Sequence, residues 1–333
     1  PLIQEYSELL IYRLSEYSQV KDRNFNVLLI DDSSLNAFAA PGGIIGINGG
    51  LFLNAQNEGQ FASVITHELA HLSQRHFARN ILNSQDNNIA SVLVMVSAMA
   101  AAIATNNPTA FMAGPAFLQQ QSLRYSRLFE READRVGFNN LINAEYDPSS
   151  MGEMFEQMAK LRRLAGDKIP EFLLTHPVSS SRVTDAFNAA DQAETPFKNK
   201  DSLNYQFIRG MLQIRYENIP LNSVRKMKSL IEKNPSNENR YALALAYKTS
   251  GKHKNALSEI NSLIAENPKN LILHNTKAEI LLDEGKSKDA LEVVNTFLNI
   301  SPKNYPLSVL KAKILAYDKK LFAAEELIRD QLL

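Results

Sequence analysis

The chain has 333 residues, of which 44% are hydrophobic and 22% charged, so it can bury a sizeable core and is not disordered. Lys and Arg together number 36, as do Asp and Glu, and this balance gives no support to nucleic-acid binding or to a polybasic membrane tether. The absence of cysteine excludes disulfides and thiolate ligands, so any metal must be held by His, Asp, Glu or water. The start at Pro1, without Met, leads us to expect a processed or trimmed chain.

The first predicted elements are a helix, a small sheet and a second helix. Apolar residues recur at three- and four-residue steps over residues 2–17, which predicts an amphipathic helix. Two apolar runs, residues 27–30 and 44–47, are separated by a segment rich in Ala, Gly and Pro, which is typical of strands joined by turns. A helical pattern then covers residues 59–78. This order predicts a mostly helical α+β domain with a small sheet.

An apolar run of sixteen residues follows, from 89 to 104. A helix that spans a bilayer needs about 20 such residues, so we interpret the run as a buried or lid-like helix. The alternative is an element that covers the substrate or contacts a membrane surface peripherally. Residues 106–121 have a loop-like composition, and the helical pattern resumes over residues 123–137.

The C-terminal part of the chain repeats itself every 34 residues. A polar linker at 195–202 precedes it, so we divide the chain into domains at residues 1–198 and 199–333. A 34-residue period with small residues, a turn glycine and a closing proline indicates tetratricopeptide repeats, in which antiparallel helix pairs stack into an all-α solenoid with a concave surface for a partner. We predict about three clear pairs, the last incomplete, and a degenerate earlier copy at 203–235. The positions that keep the spacing are Ala244, Ala278 and Ala312; Tyr247, Leu281 and Leu315; Ala256, Ala290 and Ala324; Gly251 and Gly285; and Pro268 and Pro302.

The string His67-Glu68-Leu69-Ala70-His71 is the strongest indication of chemistry. Side chains four residues apart project from the same side of a helix, so the two imidazoles can bind one zinc ion. Glu68 lies next to the first ligand and can take the proton of a zinc-activated water, then deliver it to a leaving amine. The motif alone is only moderately specific, and the alternative is a helix with two unrelated histidines.

A second helical segment offers the third ligand. Glu130 and Asp134 lie four residues apart, so Glu130 can complete the metal site while Asp134 accepts a hydrogen bond from the non-ligating nitrogen of a ligand histidine. Glu132 is the rival ligand, but two residues from Glu130 it should face elsewhere. The alternative interpretation of the segment is a solvated charged face. We expect His76 to pack near the site or to support a ligand.

Three strings in this order, HELAHLSQRH, SRLFEREADRVG and LLTHPVSSSR, resemble the gluzincin family that contains the CAAX prenyl protease and the heat-shock protease HtpX. The resemblance implies that Glu130 is the third zinc ligand, with Asp134 behind the ligands. It also implies that His176 can occupy the fourth zinc position and hold the enzyme latent. Arg182 matches an arginine that helps to position the site or the reacting carbonyl. Residues 89–121 resemble a segment that covers the active site.

A peptidase of this type followed by tetratricopeptide repeats resembles the periplasmic β-barrel assembly-enhancing proteases of Gram-negative bacteria. The resemblance implies an endopeptidase with one Zn²⁺ per chain that acts on misfolded or stalled outer-membrane β-barrel proteins. It further implies that the repeats dock on the β-barrel assembly machinery, with no nucleic-acid partner. Two rivals stay open: a chaperone or adaptor whose repeats carry the main role and whose peptidase is latent, and a membrane-associated protease.

A strand near the metal with a free edge could align an extended peptide by β-augmentation. The segment from residue 38 to residue 47 is the candidate for that strand and its neighbour, with Phe38, Ala39, Ile44 and Ile45 as predicted substrate-binding residues. Recognition of this kind depends on the peptide backbone more than on side chains. It therefore suits an enzyme that cuts unfolded or misassembled proteins.

Overall fold

The computed structural model describes residues 1–83, 127–166, 169–193, 197–199, 201–217 and 219–332. These residues form two compact units, Ser7–Ser202 and Leu203–Leu333, and the second unit also includes Pro1–Tyr6. The predicted fold class, an α+β domain followed by an all-α solenoid, is confirmed. The predicted domain boundary between residues 198 and 199 stays a prediction.

The unit formed by Ser7–Ser202 contains one three-stranded sheet. Its strands are β1 (Asn26–Ile30), β2 (Ala37–Ala40) and β3 (Ile44–Asn48), in the order β1-β3-β2. β3 pairs parallel to β1 and antiparallel to β2, so β3 is the central strand and β2 lies at an edge. Gly42 and Gly43 have φ of 85° and 73° in the turn between β2 and β3, a left-handed conformation that glycine adopts without steric cost.

Helices surround this sheet. The chain begins with α1 (Leu2–Ser15), and β3 continues directly into α2 (Gly49–Asn54), α3 (Glu58–Ser73) and α4 (His76–Asn83). Further helices of the same unit are α5 (Arg127–Asn143), α6 (Ser149–Leu164), α7 (Glu171–Thr175) and α8 (Ser180–Asp191). The central helix is α3, which packs on α5, α6 and β2. Its burial on all sides positions the HExxH motif inside the unit rather than on its surface.

The predicted continuous helix over residues 59–78 is wrong, because it is broken into α3 and α4. Arg75 has φ of 54°, the left-handed conformation that commonly ends a helix, although the residue there is usually glycine. The chain turns at this residue, and α4 begins at His76. The break changes the direction in which His76 projects relative to the two histidines of α3.

The N-terminal end of α3 is anchored by a buried carboxylate. The side chain of Asn57 caps the helix, and the next residue, Glu58, is 2% exposed. Arg13 Nη2 lies 2.7 Å from Glu58 Oε1, Tyr146 Oη donates to the same oxygen at 2.5 Å, and the backbone N–H of Ser202 donates to Glu58 Oε2 at 3.0 Å. These contacts fix the position of the helix that carries the HExxH motif.

A glycine brings α3 and α5 into close contact. A Cβ atom at Gly137 of α5 would lie 3.0 Å from both Cα and the backbone nitrogen of His67 in α3. Because glycine lacks that atom, the two helix backbones can approach closely at the metal motif. This close packing brings Glu130 of α5 within reach of His67 and His71 of α3.

The repeat unit consists of four helix pairs: α9 (Leu203–Arg215) with α10 (Pro220–Lys233), α11 (Asn237–Thr249) with α12 (His253–Glu266), α13 (Leu271–Asp283) with α14 (Ser287–Leu298), and α15 (Tyr305–Tyr317) with α16 (Leu321–Leu332). Alanines of the 34-residue pattern, such as Ala244 and Ala278, are fully buried where the helices meet. Gly251 and Gly285 make the turns within two pairs, with φ of 69° and 80°. The last pair, predicted to be incomplete, contains both helices.

The apolar run at residues 89–104 and the loop-like segment at 106–121 lie outside the described residues, so the predictions made for them stay predictions. The helix predicted over residues 123–137 is observed from Arg127 to Asn143. Among the described residues, none of the helices combines the length and the apolar character that crossing a membrane requires.

Candidate active site

Two histidines of α3 belong to the candidate metal site. His67 and His71 lie one helical turn apart and are 3% and 2% exposed. Their Nε2 atoms face each other at 3.0 Å, and their rings meet edge to face at a centroid distance of 4.7 Å. The four-residue spacing therefore brings both imidazoles to the same point, as predicted from the motif.

Two further side chains complete the cluster. Glu130 comes from the first turn of α5, and His176 from the residue that ends α7. His176 Nδ1 lies 3.4 Å from His67 Nε2 and 3.0 Å from Glu130 Oε1, while the Glu130 carboxylate lies 3.6 Å from His67 Nε2 and 3.4 Å from His71 Nε2. The structure thus brings together the four predicted metal ligands, with one donor atom from each within 4.8 Å of the others.

The donor set fits a zinc ion. Zinc in proteins is tetrahedral with Zn–N bonds of about 2.0–2.1 Å, and that geometry separates neighbouring ligand atoms by about 3.4 Å. Five of the six pairs of ligands have donor atoms 3.0–3.6 Å apart, and the whole set lies within 4.8 Å. Three imidazoles and one carboxylate, all buried, are also ligands that zinc prefers.

The proton affinities of the cluster are strongly perturbed by burial and by mutual contacts. Burial alone would lower the pKa of His67, but the carboxylates of Asp134 and Glu130 outweigh it and raise this pKa to about 10. Burial holds the pKa of His71 well below its ordinary value. Burial would raise the pKa of Glu130, but its histidine neighbours, His176 first, hold it well below the usual range. A metal cation would therefore meet an ionised carboxylate and would compete with protons for His67.

Glu68 lies beside the cluster, as the motif predicts. Its carboxylate is 1% exposed, and burial raises its pKa. The backbone N–H of Ala39 donates a hydrogen bond to it. Its Oε1 lies 3.6 Å from His176 Nε2 and has no hydrogen-bond partner among the described residues. A buried acceptor of this kind, next to a metal site, is suited to receive a proton from a water molecule.

Behind His67 lies an ion pair between Asp134 and Arg182. His67 Nδ1 is 3.0 Å from Asp134 Oδ1, and this carboxylate is one of the two that raise the pKa of His67. Arg182 donates to both oxygens of Asp134 at 2.6 and 2.7 Å, to the carbonyl of Pro177 at 2.8 Å, and lies 3.0 Å from Glu130 Oε2. The guanidinium therefore contacts both Asp134, which lies behind the ligand His67, and the ligand Glu130 itself.

His76 lies next to the ligand His71, as expected, but the sequence did not indicate its contact with Glu132. Glu132, the rival ligand, does not join the cluster, and its Oε2 lies 3.1 Å from His76 Nε2 and 2.9 Å from Arg79 Nη1. The sequence could not indicate the contact of His76 with Glu132, because that contact depends on the break between α3 and α4. On one continuous helix, His76 would lie five residues after His71 and would point about 140° away from it.

The predicted substrate-binding residues lie on two different kinds of strand. Phe38 and Ala39 belong to the edge strand β2, whereas Ile44 and Ile45 belong to β3, whose backbone pairs on both sides. A cavity of about 330 Å³ opens beside His71, and its lining includes Ala39, Leu72 and Phe77. The N–H bond from Ala39 to Glu68 connects this edge directly to the site.

Comparisons with known proteins agree with the geometry. The model of peptidase family M48 matches residues 1–190. A candidate β-barrel assembly-enhancing protease of Vibrio cholerae serotype O1 is 33% identical over 281 residues, which are 81% of this chain and 57% of that protein. The β-barrel assembly-enhancing protease of Escherichia coli K12 is 34% identical over 197 residues, covering 58% of this chain and 40% of that protein.

A more distant relative is the mitochondrial metalloendopeptidase OMA1 of Arabidopsis thaliana, 30% identical over 165 residues, which are 50% of this chain and 31% of that protein. The chain thus spans about half the length of the first two relatives, 57% and 40%, and less of the third. The predicted resemblance to a zinc metallopeptidase family is confirmed by the match over residues 1–190, which is more than half of the chain. The chain belongs to peptidase family M48.

Proposed function

We propose that this protein is a zinc-dependent endopeptidase that cleaves unfolded or misassembled outer-membrane β-barrel proteins in the periplasm. The observation that carries the peptidase part is the buried cluster of His67, His71, Glu130 and His176 with Glu68 beside it. The substrate class is supported by relatives that are named β-barrel assembly-enhancing proteases, and the compartment follows from the resemblance to that group.

His67, His71 and Glu130 hold the zinc ion, which supplies Lewis-acid activation of a water molecule and of the substrate carbonyl when it is bound. Glu68 accepts the proton of the attacking water and passes it to the leaving amine. Burial raises its pKa, which favours the first of these steps, the transfer of the proton from water to the carboxylate. Asp134 and Arg182 act as positioning residues, since they contact the ligands rather than the water or the peptide.

The edge strand β2 aligns the substrate. An extended peptide binds along β2 by backbone hydrogen bonds, which are available to any unfolded sequence. Phe38 and Ala39 lie on this strand, and the Ala39 N–H contact to Glu68 supports a peptide position within reach of the base. Ile44 and Ile45 support the edge from the central strand.

His176 keeps the resting enzyme latent. Catalytic zinc sites hold the metal with three protein ligands and leave a fourth position for water, whereas closed sites use four. His176 would take the fourth position that water occupies in a catalytic site, so we expect this residue to move aside before Glu68 acts on the water. Its stacking on Phe172, at a centroid distance of 4.7 Å, stabilises the latent arrangement.

The repeat unit docks the substrate or the β-barrel assembly machinery. A cavity of about 660 Å³ in this unit has a lining that includes Met211, Leu245 and Lys313. Lys313 is exposed, so Lys313→Glu should weaken binding of the assembly machinery in pull-down experiments. The matched control is Lys320→Glu, an equally charged change at an exposed position that does not line the cavity.

A second candidate function is that of a chaperone or adaptor with a latent peptidase. The observation that favours it is that four protein side chains occupy the metal cluster. The two candidates separate in cells that lack the native protein. Full rescue of outer-membrane protein assembly by Glu68→Gln would favour the adaptor, and loss of rescue would favour the peptidase.

The decisive experiment combines metal analysis with cleavage. The full chain, its Glu68→Gln variant and a His176→Ala variant are incubated with an outer-membrane β-barrel protein, either urea-unfolded or folded in detergent. We expect about one zinc per chain in all three proteins, and cleavage of the unfolded substrate that Glu68→Gln abolishes. Absence of zinc, or equal cleavage by Glu68→Gln, would contradict the peptidase proposal. Equal cleavage of the folded substrate would contradict only the proposed substrate class.

A further inference from the structure

A second histidine lies directly behind the metal ligand His71. Because the chain turns at Arg75 and starts α4 at the next residue, the ring of His76 packs against that of His71 at a centroid distance of 4.9 Å. Their Nδ1 atoms are 2.9 Å apart, within hydrogen-bond distance. His76 is fully buried, so water does not compete for this contact.

The other nitrogen of His76 is also engaged. Its Nε2 lies 3.1 Å from Glu132 Oε2, and the same oxygen accepts a hydrogen bond from Arg79 Nη1 at 2.9 Å. The ring stacks on Phe129 at 4.6 Å with an interplanar angle of 10°, and the Arg79 guanidinium covers the Phe129 ring at 4.5 Å. The stacking on Phe129 and the contacts at both nitrogens hold His76 in one orientation.

Metal binding selects one arrangement of protons along these contacts. His71 presents Nε2 to the cluster, 3.4 Å from Glu130 Oε1, and a ligating nitrogen carries no proton. The proton of neutral His71 is then on Nδ1 and is donated to Nδ1 of His76. The proton of His76 must in turn be on Nε2, which faces the carboxylate of Glu132. One assignment of protons therefore satisfies every contact from the metal to the carboxylate.

We propose that His76 and Glu132 are positioning residues for the metal, and that they fix the tautomer and the ring orientation of His71 through a hydrogen-bond chain. This inference rests on the proposed metal site. This hydrogen-bond chain parallels the contact from His67 to Asp134. In both cases a carboxylate lies behind a ligand histidine of α3 and is paired with an arginine. Outer contacts of this kind change metal affinity by about 10- to 100-fold when they are lost.

The first test is zinc affinity of the full chain by chelator competition. His76→Phe keeps an aromatic ring against Phe129 but removes the acceptor for His71, and it should weaken zinc binding about 10- to 100-fold. His76→Asn places an amide oxygen near the position of Nδ1, so it should restore most of the affinity. Glu132→Ala changes the partly exposed end of the hydrogen-bond chain and should weaken zinc binding about tenfold. The control His274→Phe lies in the repeat unit and should change nothing.

The second test is the protonation of the two rings. Long-range ¹H–¹⁵N spectra of the zinc-loaded Glu68→Gln protein should find the proton of His71 on Nδ1 and that of His76 on Nε2. A proton on Nδ1 of His76, or wild-type zinc affinity in both His76→Phe and Glu132→Ala, would overturn the inference. Equal loss of affinity in His76→Phe and His76→Asn would do the same, because returning an acceptor near the position of Nδ1 would then restore no affinity. Absence of zinc from the wild-type protein would instead contradict the proposed metal site.

Discussion

The ion pair of Arg182 with Asp134 makes a strong prediction about stability. Arg182 is 6% exposed, and its guanidinium contacts two carboxylates, a carbonyl and the face of the Phe155 ring at 4.8 Å. The carboxylates raise the pKa of Arg182 further despite its burial, so the side chain is charged at any accessible pH. Arg182→Ala would leave the buried carboxylate of Glu130 and the largely buried carboxylate of Asp134 without this partner.

The expected size follows from that contact. Removing one partner of a buried ion pair costs about 3–5 kcal/mol, because the remaining charge stays desolvated and uncompensated. For a unit of about 200 residues, 1 kcal/mol lowers Tm by about 2–4 °C, so Arg182→Ala should lower Tm by about 6–20 °C. Arg182→Lys keeps the charge but cannot bind both oxygens of Asp134 with a planar fork, and we expect an intermediate loss.

Calorimetry of the full chain at fixed excess zinc measures this shift. The transition of the peptidase unit is identified as the one whose Tm rises with added zinc. Arg163→Ala is the matched control, since this arginine is exposed and its removal should change stability by less than about 0.5 kcal/mol. If Arg182→Ala melted within about 2 °C of the wild type, the ion pair would not have the structural role assigned to it.

Three further predictions follow from other contacts. His176→Ala should raise the rate of proteolysis at unchanged zinc content, and an unchanged or lower rate would contradict the latent role. Burial and the charge of Asp32 raise the pKa of Glu171 from 4.5 to about 7, so the folded state binds this proton more tightly than the unfolded state. The free energy of unfolding should therefore fall as pH rises from about 4.5 to about 7, and urea titrations should find this slope reduced in Glu171→Gln. Gly137→Ala should destabilise the unit by about 1–3 kcal/mol and weaken zinc binding in chelator competition. The reason is that its methyl group would meet the backbone of His67 at 3.0 Å. Wild-type zinc affinity would contradict this reasoning, because it would show that the two helices can separate without cost.

The parts of the site that the sequence predicts depend on spacing within one helix. His67 and His71 are four residues apart, as are Glu130 and Asp134, and helical geometry alone brings each pair to one side. The 34-residue repeat was equally accessible because it recurs along the chain. His176 was a different case, since its role came from a resemblance and not from periodicity.

The parts that the sequence does not reveal depend on the direction of the chain at single residues. The left-handed conformation of Arg75 ends α3, although no glycine marks the position, and without that break His76 would point away from His71. The strand order β1-β3-β2 could not be predicted either, because both apolar runs are equally suited to the centre of a sheet. The sequence therefore proposes residues 38–47 as a strand and its neighbour, and the structure assigns Phe38 and Ala39 to the edge strand and Ile44 and Ile45 to the central one.

The close approach at Gly137 has a consequence for recognising such sites in other chains. Glu130, Asp134 and Gly137 stand at positions i, i+4 and i+7 of α5, so they share one face over two helical turns. On that face, Glu130 is a metal ligand, Asp134 contacts the second ligand His67, and Gly137 lets α3 approach closely. A search pattern that couples HExxH to E-x-x-x-D-x-x-G would therefore select for the distance between two helices as well as for the donor atoms. Chains with a larger residue in the last position would be expected to hold their third ligand by a different packing.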